Sequence, residues 1–450
     1  MKFLLSIIFF GFILGGTLTT TIFPTELSTA KTQNQDSPSC VTSKCHASMG
    51  KEAFVHGPVA DGDCGSCHEL LPNEKHKFKH IKNIGELCYS CHDSKATESI
   101  VHKPVMQGKC ITCHDPHQSN YPFQIKKNPV SKICVTCHNK NMFEKKFVHG
   151  PTAAGDCIIC HEPHTSNNPN LLVQTGSKLC FGCHTEMKDD LVAAKKVHKP
   201  ARNNCTDCHN PHSTDFKYML KNQIPNLCFN CHNDIEKHVE KSLVRHDALT
   251  IKKKCLNCHS PHGAEYSMQL TAQPMTLCLN CHDRTMTTKN GEKLRNMKLL
   301  LEKNKAWHGP IRNKSCTGCH DVHGSDFFRI LVKQYPAKFY AAFTENQYAL
   351  CFNCHQPTLA EVAETTTLTG FREGDRSLHY IHVNRKRGRA CRACHQTHAS
   401  KLPFHIRAAV PFGKWMLPIN YTKTKTGGKC APGCHLPKQY SRTIISSKKK

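Results

Sequence analysis

The chain has 450 residues, of which only 38% are hydrophobic, with two tryptophans, 25 glycines and 24 prolines. That is too little apolar side chain for a conventional core, and it argues against the two or three ordinary globular domains that such a length would suggest. The formal net charge is +27 and 30 residues are cysteine, so a polyanion partner, a disulfide scaffold and a metal site are the readings to weigh.

In chain order, Met1-Lys2 precedes an apolar run from Phe3 to Gly16 and then a Thr-rich stretch. Ser28-Thr29-Ala30 puts small residues at −3 and −1 of a cleavage site after Ala30. Residues 1–30 are therefore expected to be an export signal, preferred over an uncleaved anchor built on Phe3 to Phe23. No cysteine near the signal would support a lipoprotein anchor, and no later segment is apolar enough to span a membrane.

Residues 31–55 hold Cys40 and Cys45-His46, spaced CxxxxCH. Seven copies of one unit follow, at 56–101, 102–148, 149–197, 198–245, 246–307, 308–378 and 379–450. The clearest runs from His149 through Cys157, Cys160-His161, Glu-Pro-His164 and Cys180, Cys183-His184: a histidine, CxxCH, xPH, CxxCH. The other motifs are Cys64, Cys67-His68; Cys88, Cys91-His92; Cys110, Cys113-His114; Cys134, Cys137-His138; Cys205, Cys208-His209; Cys228, Cys231-His232; Cys255, Cys258-His259; and Cys278, Cys281-His282. After these come Cys316, Cys319-His320; Cys351, Cys354-His355; Cys391, Cys394-His395; and Cys430, Cys434-His435, the last spaced CxxxCH. Each motif is expected to close a short helical turn between irregular Pro-, Asn- and Lys-rich connectors. Asp283 to Trp307 forms an insert whose Leu294, Met297, Leu300 and Leu301 have amphipathic helical spacing. A second insert, Gln356 to Tyr380, predicts a helix around Leu359 to Glu364. Lys401 to Lys429 is apolar from Val410 to Ile419, and core packing is preferred there over a docking surface.

Every cysteine is used in one of these pairs, so none remains for a disulfide, and zinc ribbons do not require a histidine after the second cysteine. Two cysteines on one turn reach both vinyl groups of a porphyrin, and the adjacent histidine supplies the proximal imidazole. The expectation is 15 covalent haem c groups, one for every thirty residues. They would template a mostly coil fold with short α-helices and little or no β, an elongated array of seven dihaem repeats behind one leading haem. Two propionates on each haem contribute about −30 in total, which offsets the chain's positive charge and leaves no case for nucleic acid.

Eighteen of the 33 histidines lie outside the motifs. Seven precede the first cysteine of a unit by seven to nine residues: His56, His102, His149, His198, His246, His308 and His382. Six lie three residues after the first proximal histidine: His117, His164, His212, His262, His323 and His398. The first unit has Glu69-Leu-Leu-Pro in place of xPH, followed by His76 and His80.

The pattern resembles the doubled-CxxCH class of multihaem cytochromes, related to the cytochrome c3 family, over residues 40–435. That resemblance implies that a histidine before a CxxCH binds that same haem and a histidine just after it binds the next. His149 would then complete the haem of His161, and His164 that of His184, so that each unit is a self-contained bis-histidine pair. One of His76 and His80 would serve the haem of His92 and the other the haem of His46, for which Met49 or an open position are alternatives. His238, His379 and His405 are left over, His382 fitting the register better than His379.

Filled axial positions point to an electron carrier with no catalytic residue, conducting over a long distance in anaerobic or extracellular respiration, outer-sphere reduction of metals being compatible with that. The alternatives are a reductase with an open haem at His46 and a subunit of a cytochrome filament. Expected partners are other cytochromes, a membrane quinol-oxidising complex or an outer-membrane porin; Arg385 to Arg389 and Lys448-Lys449-Lys450 are read as solvated charge in preference to a docking site for an acidic partner. The expected location is the periplasm, with outer-membrane association or an extracellular position as alternatives, and membrane contact only by association or through an uncleaved N-terminal anchor.

Overall fold

The structure is a computed structural model that describes residues 40–288 and 291–443. The expected signal at 1–30 and Lys448-Lys449-Lys450 lie outside the described residues. Two compact units result: residues up to Lys82 together with His114–Lys126, and Asn83–Cys113 together with Lys127 onward. No helix among the described residues is long and apolar enough to cross a membrane.

The chain is mostly coil with short helices, and its strands pair in small sets. The CxxCH spacing closes single turns. First sites form 3-10 turns such as Cys64–Ser66, Cys110–Thr112, Cys157–Ile159 and Cys391–Ala393. Second sites sit at the C-terminal end of α-helices, among them Ile84–Tyr89, Gly176–Phe181 and Pro274–Leu279. In both settings the histidine N–H donates to the first cysteine's carbonyl, at 2.9 Å for His68 on Cys64 and for His92 on Cys88. That bond holds the imidazole on the same side of the turn as the two thiols.

In five repeats the leading histidine is an extended residue ahead of a short helix with proline in its first turn. His149 (φ −66, ψ 142) caps Gly150–Ala154, and His102 caps Lys103–Met106. Proline suits the first helical turn because its missing N–H has no partner there to lose.

Two-residue antiparallel strands just before the leading histidines pair with strands just after xPH in the following repeat. Phe54–Val55 pairs with Gln118–Ser119 inside the smaller unit. Inside the larger unit, Ile100–Val101 pairs with Thr165–Ser166, Phe147–Val148 with Ser213–Thr214, and Lys196–Val197 with Gly263–Ala264. Val244–Arg245 pairs with Gly324–Ser325, and Ala306–Trp307 with Ala399–Ser400. The β content is small, as the composition suggests, but it is placed where it joins one repeat to the next.

Among the described residues before Met275, Ile133 is the one buried hydrophobic side chain. The C-terminal part is different. Met275, Leu301, Ile311 and Ala399 form one cluster, and Leu331, Tyr335, Tyr348, Ala360, Val383 and Ala390 another. Both inserts feed these clusters. The helix of the first covers Met297–Lys303 with Leu301 buried, while Leu294 falls in a short strand, Lys293–Leu294. The second contributes Thr358–Glu361 with Ala360 buried. The apolar run after His405 is a β-hairpin, Ala409–Phe412 with Trp415–Pro418. It buries Val410 and Ile419 and exposes Trp415 and Met416.

Candidate haem sites

Eleven pairs of imidazoles face each other nearly in parallel, with centroids 6.0–6.3 Å apart and interplanar angles of 4–24°. Imidazoles that bind one metal ion through nitrogen at about 2.0–2.1 Å on opposite sides would have centroids roughly 6 Å apart. Rings in direct contact would not hold so constant a gap. The residues therefore fit an iron with two axial histidines, and each pair contains one histidine of a CxxCH motif.

The partners differ from those that the cytochrome c3 resemblance implies. His149 faces His184, 6.1 Å away, and not His161. The ring facing His161 is that of His212, from the following repeat. The same exchange recurs. Leading His102, His198, His246 and His308 face the second-site His138, His232, His282 and His355 of their own repeats. First-site His68, His209, His259 and His320 face His117, His262, His323 and His398 of the next. The strand pairs are the cause. Each draws an xPH segment back onto the preceding repeat, where backbone bonds such as His149 N–H to His212 carbonyl (3.0 Å) and His198 N–H to His262 carbonyl (2.8 Å) fix the register. The repeats are thus interlocked and not self-contained.

The seventh repeat departs again. His379, left over by the sequence register, faces His395 at 6.3 Å, where His382 was expected. His382 lies within electrostatic reach of His435 instead. The helix Leu378–Val383 carries both histidines, three residues apart. His238 bonds the Gly324 carbonyl (3.0 Å) and Asp321 (3.1 Å). His405 stands edge-on to His308, 5.5 Å away. His76 and His80 lie exposed on the loop after His68.

Ring orientation is set by backbone carbonyls. The Nδ1 of first-site His114, His161, His209, His259, His320 and His395 donates to the carbonyl nine residues on, at 2.8–3.1 Å. A carbonyl only accepts, so Nδ1 carries the proton and Nε2 is left for a metal. The accepting residues, Phe123, Asn170, Tyr218, Met268, Arg329 and Phe404, all have φ of 57–60°, and the residue after each is also left-handed. Two consecutive non-glycine residues in that region cost roughly 1–2 kcal/mol apiece, a strain that six of the repeats carry to aim one carbonyl. Leading histidines are held in the same way, His102 by Pro163, His198 by Pro261 and His246 by Val322, at 2.9–3.1 Å.

A hydroxyl two residues after xPH locks the strained loop. Ser119, Ser166, Thr214 and Ser400 donate to the carbonyls of Ile125, Leu172, Leu220 and Ile406, at 2.5–2.7 Å. Sequence reasoning passed over this residue, although its signal, a Ser or Thr at a fixed offset from xPH, is present in five repeats.

Burial favours the neutral ring, the form that binds a metal, at His320, His395, His398 and His379. The His398 ring is pushed down to about 4 by burial and then by His320 and Arg295. His379 is likewise pushed to about 4, by burial and then by His395.

Thiols of successive motifs also meet. The free Cys40 and Cys64 thiols lie in hydrogen-bonding contact within the smaller unit. In the larger unit the same contact joins Cys134 to Cys157, Cys180 to Cys205, Cys228 to Cys255, Cys278 to Cys316 and Cys351 to Cys391. Within repeats, Cys160 lies in electrostatic reach of Cys183, Cys208 of Cys231, Cys258 of Cys281 and Cys319 of Cys354. A cavity of about 2730 Å³ runs among the C-terminal motifs, well above the roughly 300–1,000 Å³ of a small-ligand pocket.

Six segments, residues 56–97, 102–143, 149–189, 198–237, 246–287 and 308–360, match the model of the doubled CXXCH motif family and together cover more than half of the chain. The chain belongs to that family. It is a multihaem c-type cytochrome, and its doubled motifs bind haem c covalently. The leading site of this cytochrome and its seventh repeat lie outside the matched segments. No curated protein matches the chain in a sequence comparison.

Proposed function

We propose that this cytochrome is exported, carries fifteen haems, and conducts electrons over a long distance in anaerobic or extracellular respiration without substrate chemistry at the iron. The observation that carries the reading is the set of facing imidazole pairs, because a ring on each side closes both axial positions. When bound, haem c supplies a one-electron iron couple, and a close succession of such sites makes the chain a conduit. The residues do the rest. Carbonyl-bonded Nδ1 groups fix the tautomer, burial disfavours protonation of His212, His262, His323 and His398, and the close approach of cysteines from successive motifs sets neighbouring sites close together. His382 completes the site at His435, and one of His76 and His80 completes the site at His46. Redox partner proteins receive electrons at the exposed ends of the series.

A pyridine haemochrome assay with electron paramagnetic resonance on the purified protein tests this reading. It predicts fifteen haems per chain, almost all low-spin. A count well below fifteen, or mainly high-spin signals, contradicts it. Protease accessibility on whole cells tests export and separates a periplasmic from an extracellular location.

A further inference from the structure

Four arginines from distant parts of the chain converge beside the site of His320 and His398. Arg295 comes from the insert of the fifth repeat, Arg329 from the strained loop after His320, Arg392 from inside a CxxCH motif and Arg407 from the segment after His405. All four line the C-terminal cavity. Arg329 and Arg392 both lie over the ring of Phe328, at 5.0 and 5.3 Å from its centroid. Arg407 donates from Nε to the His395 carbonyl at 3.1 Å, and Arg392 bonds the Ala337 carbonyl. Among the described residues, the ion pair formed by any of the four is Arg329 with Glu292, at 4.0 Å. Four guanidinium groups beside one distant carboxylate make a cluster that calls for anions.

Their mutual repulsion is felt. Burial and then Arg295 and Arg392 push the Arg407 guanidinium down to about 10, and burial and then Arg329 lower that of Arg295. Arg295 and Arg329 also act on the His398 ring, and the Arg329 carbonyl accepts from His320 Nδ1 at 3.1 Å. The equivalent of Arg329 in other repeats is Phe123, Asn170, Tyr218, Met268 or Phe404, so this cation is peculiar to one site.

We infer that Arg295, Arg329, Arg392 and Arg407 hold the propionates of the haem attached at Cys316, Cys319 and His320, and that this makes it the most readily reduced haem of the C-terminal repeats. The inference rests on the bis-histidine reading of the His320 and His398 pair. The neighbouring haem of His395 is a poorer claimant. Arg392 lies between its two cysteines and Arg407 is in electrostatic reach of Cys394, at the thioether edge of that porphyrin, whereas propionates project from the opposite edge. Guanidinium groups match carboxylates in a planar, two-pronged fashion. Clustered positive charge opposes the ferric state, which carries one positive charge more than the ferrous, and so favours reduction.

An optically monitored potentiometric titration of the holoprotein tests the assignment, using R329Q/R407Q, R329K/R407K and, as a milder substitution in the insert, R295Q. The inference predicts that a component with the amplitude of one haem moves to lower potential in R329Q/R407Q and less far in R295Q. It stays near its original position in R329K/R407K, which keeps the charge. Unchanged potentials in fully loaded, low-spin variants overturn the inference. So does a result in which the glutamine variants lose only their binding to polyglutamate, because the cluster would then serve an external acidic partner. A wild-type protein that is short of haem or high-spin at this site contradicts the ligation reading itself, and the haem assay run beside the titration tells the two failures apart.

Discussion

The imidazole of His161 faces that of His212, fifty-one residues further along the chain, across 6.1 Å. Between them the chain passes through a second CxxCH, whose His184 is faced by His149. A repeat therefore supplies both ligands of its second site and only one ligand of its first.

This exchange predicts where a ligand change is felt. His212→Met converts one bis-histidine haem to histidine–methionine ligation, which raises its potential and is visible in near-infrared magnetic circular dichroism. With Cys157 and Cys160 replaced by alanine, so that no haem attaches before His161, the same substitution yields no histidine–methionine signal. A signal that persists in that background places His212 on the haem of His232, as pairing within the repeat requires.

The seventh repeat makes a separate prediction. His379→Met alters the haem of His395 and His382→Met that of His435, so the double variant shows two histidine–methionine haems. If His379→Met leaves every haem bis-histidine, the pairing of His379 with His395 is wrong.

The buried Thr214 hydroxyl bonds the Leu220 carbonyl at 2.5 Å and accepts from the Phe216 N–H at 3.3 Å. Thr214→Val keeps the shape, leaves both groups unpaired and costs about 1–3 kcal/mol. Denaturant unfolding reads the loss. The same loop places the Tyr218 carbonyl on His209, so the low-spin signal that broadens belongs to the haem of His209.

Acid weakens the fold through its buried imidazoles. Burial, and then the neighbouring His320 and His395 respectively, push the His398 and His379 rings to about 4 from the usual 6.5, and an iron on Nε2 would exclude the proton further. Above pH 6.5 they are neutral whether the chain is folded or not and confer no pH dependence. As pH falls from 6.5 towards 4 the unfolded chain takes up protons that the folded one refuses, so stability declines through that window. Thermal unfolding followed in the Soret band between pH 7 and 4 measures it, and a flat profile contradicts it.

Much of this was legible in the residues. Cys157, Cys160 and His161 announce a haem at short range, because attachment needs one turn of backbone and its spacing is written locally. The distal histidines were legible as a set, but their partners were not. His149 precedes His161 by twelve residues and His184 by thirty-five, and nearness in sequence favours the wrong choice. What decides is a pair of two-residue strands, Phe147–Val148 on Ser213–Thr214, too short to leave a period in the pattern. His379 and His382 illustrate a second limit. Both lie on one short helix, three residues apart, and their assignment depends on a C-terminal hairpin and sheet with no counterpart in other repeats. The left-handed pair Tyr218-Met219 was hidden for a third reason: nothing in a tyrosine followed by a methionine signals positive φ.

An experimentally determined structure of the haem-loaded protein, at a resolution that shows the axial ligands, tests the interlocked pairing most directly. The iron bonded to His161 is predicted to carry His212 on its other face, and that of His184 to carry His149. His149 on the iron of His161, with His164 on that of His184, would return each repeat to a self-contained pair and contradict the account.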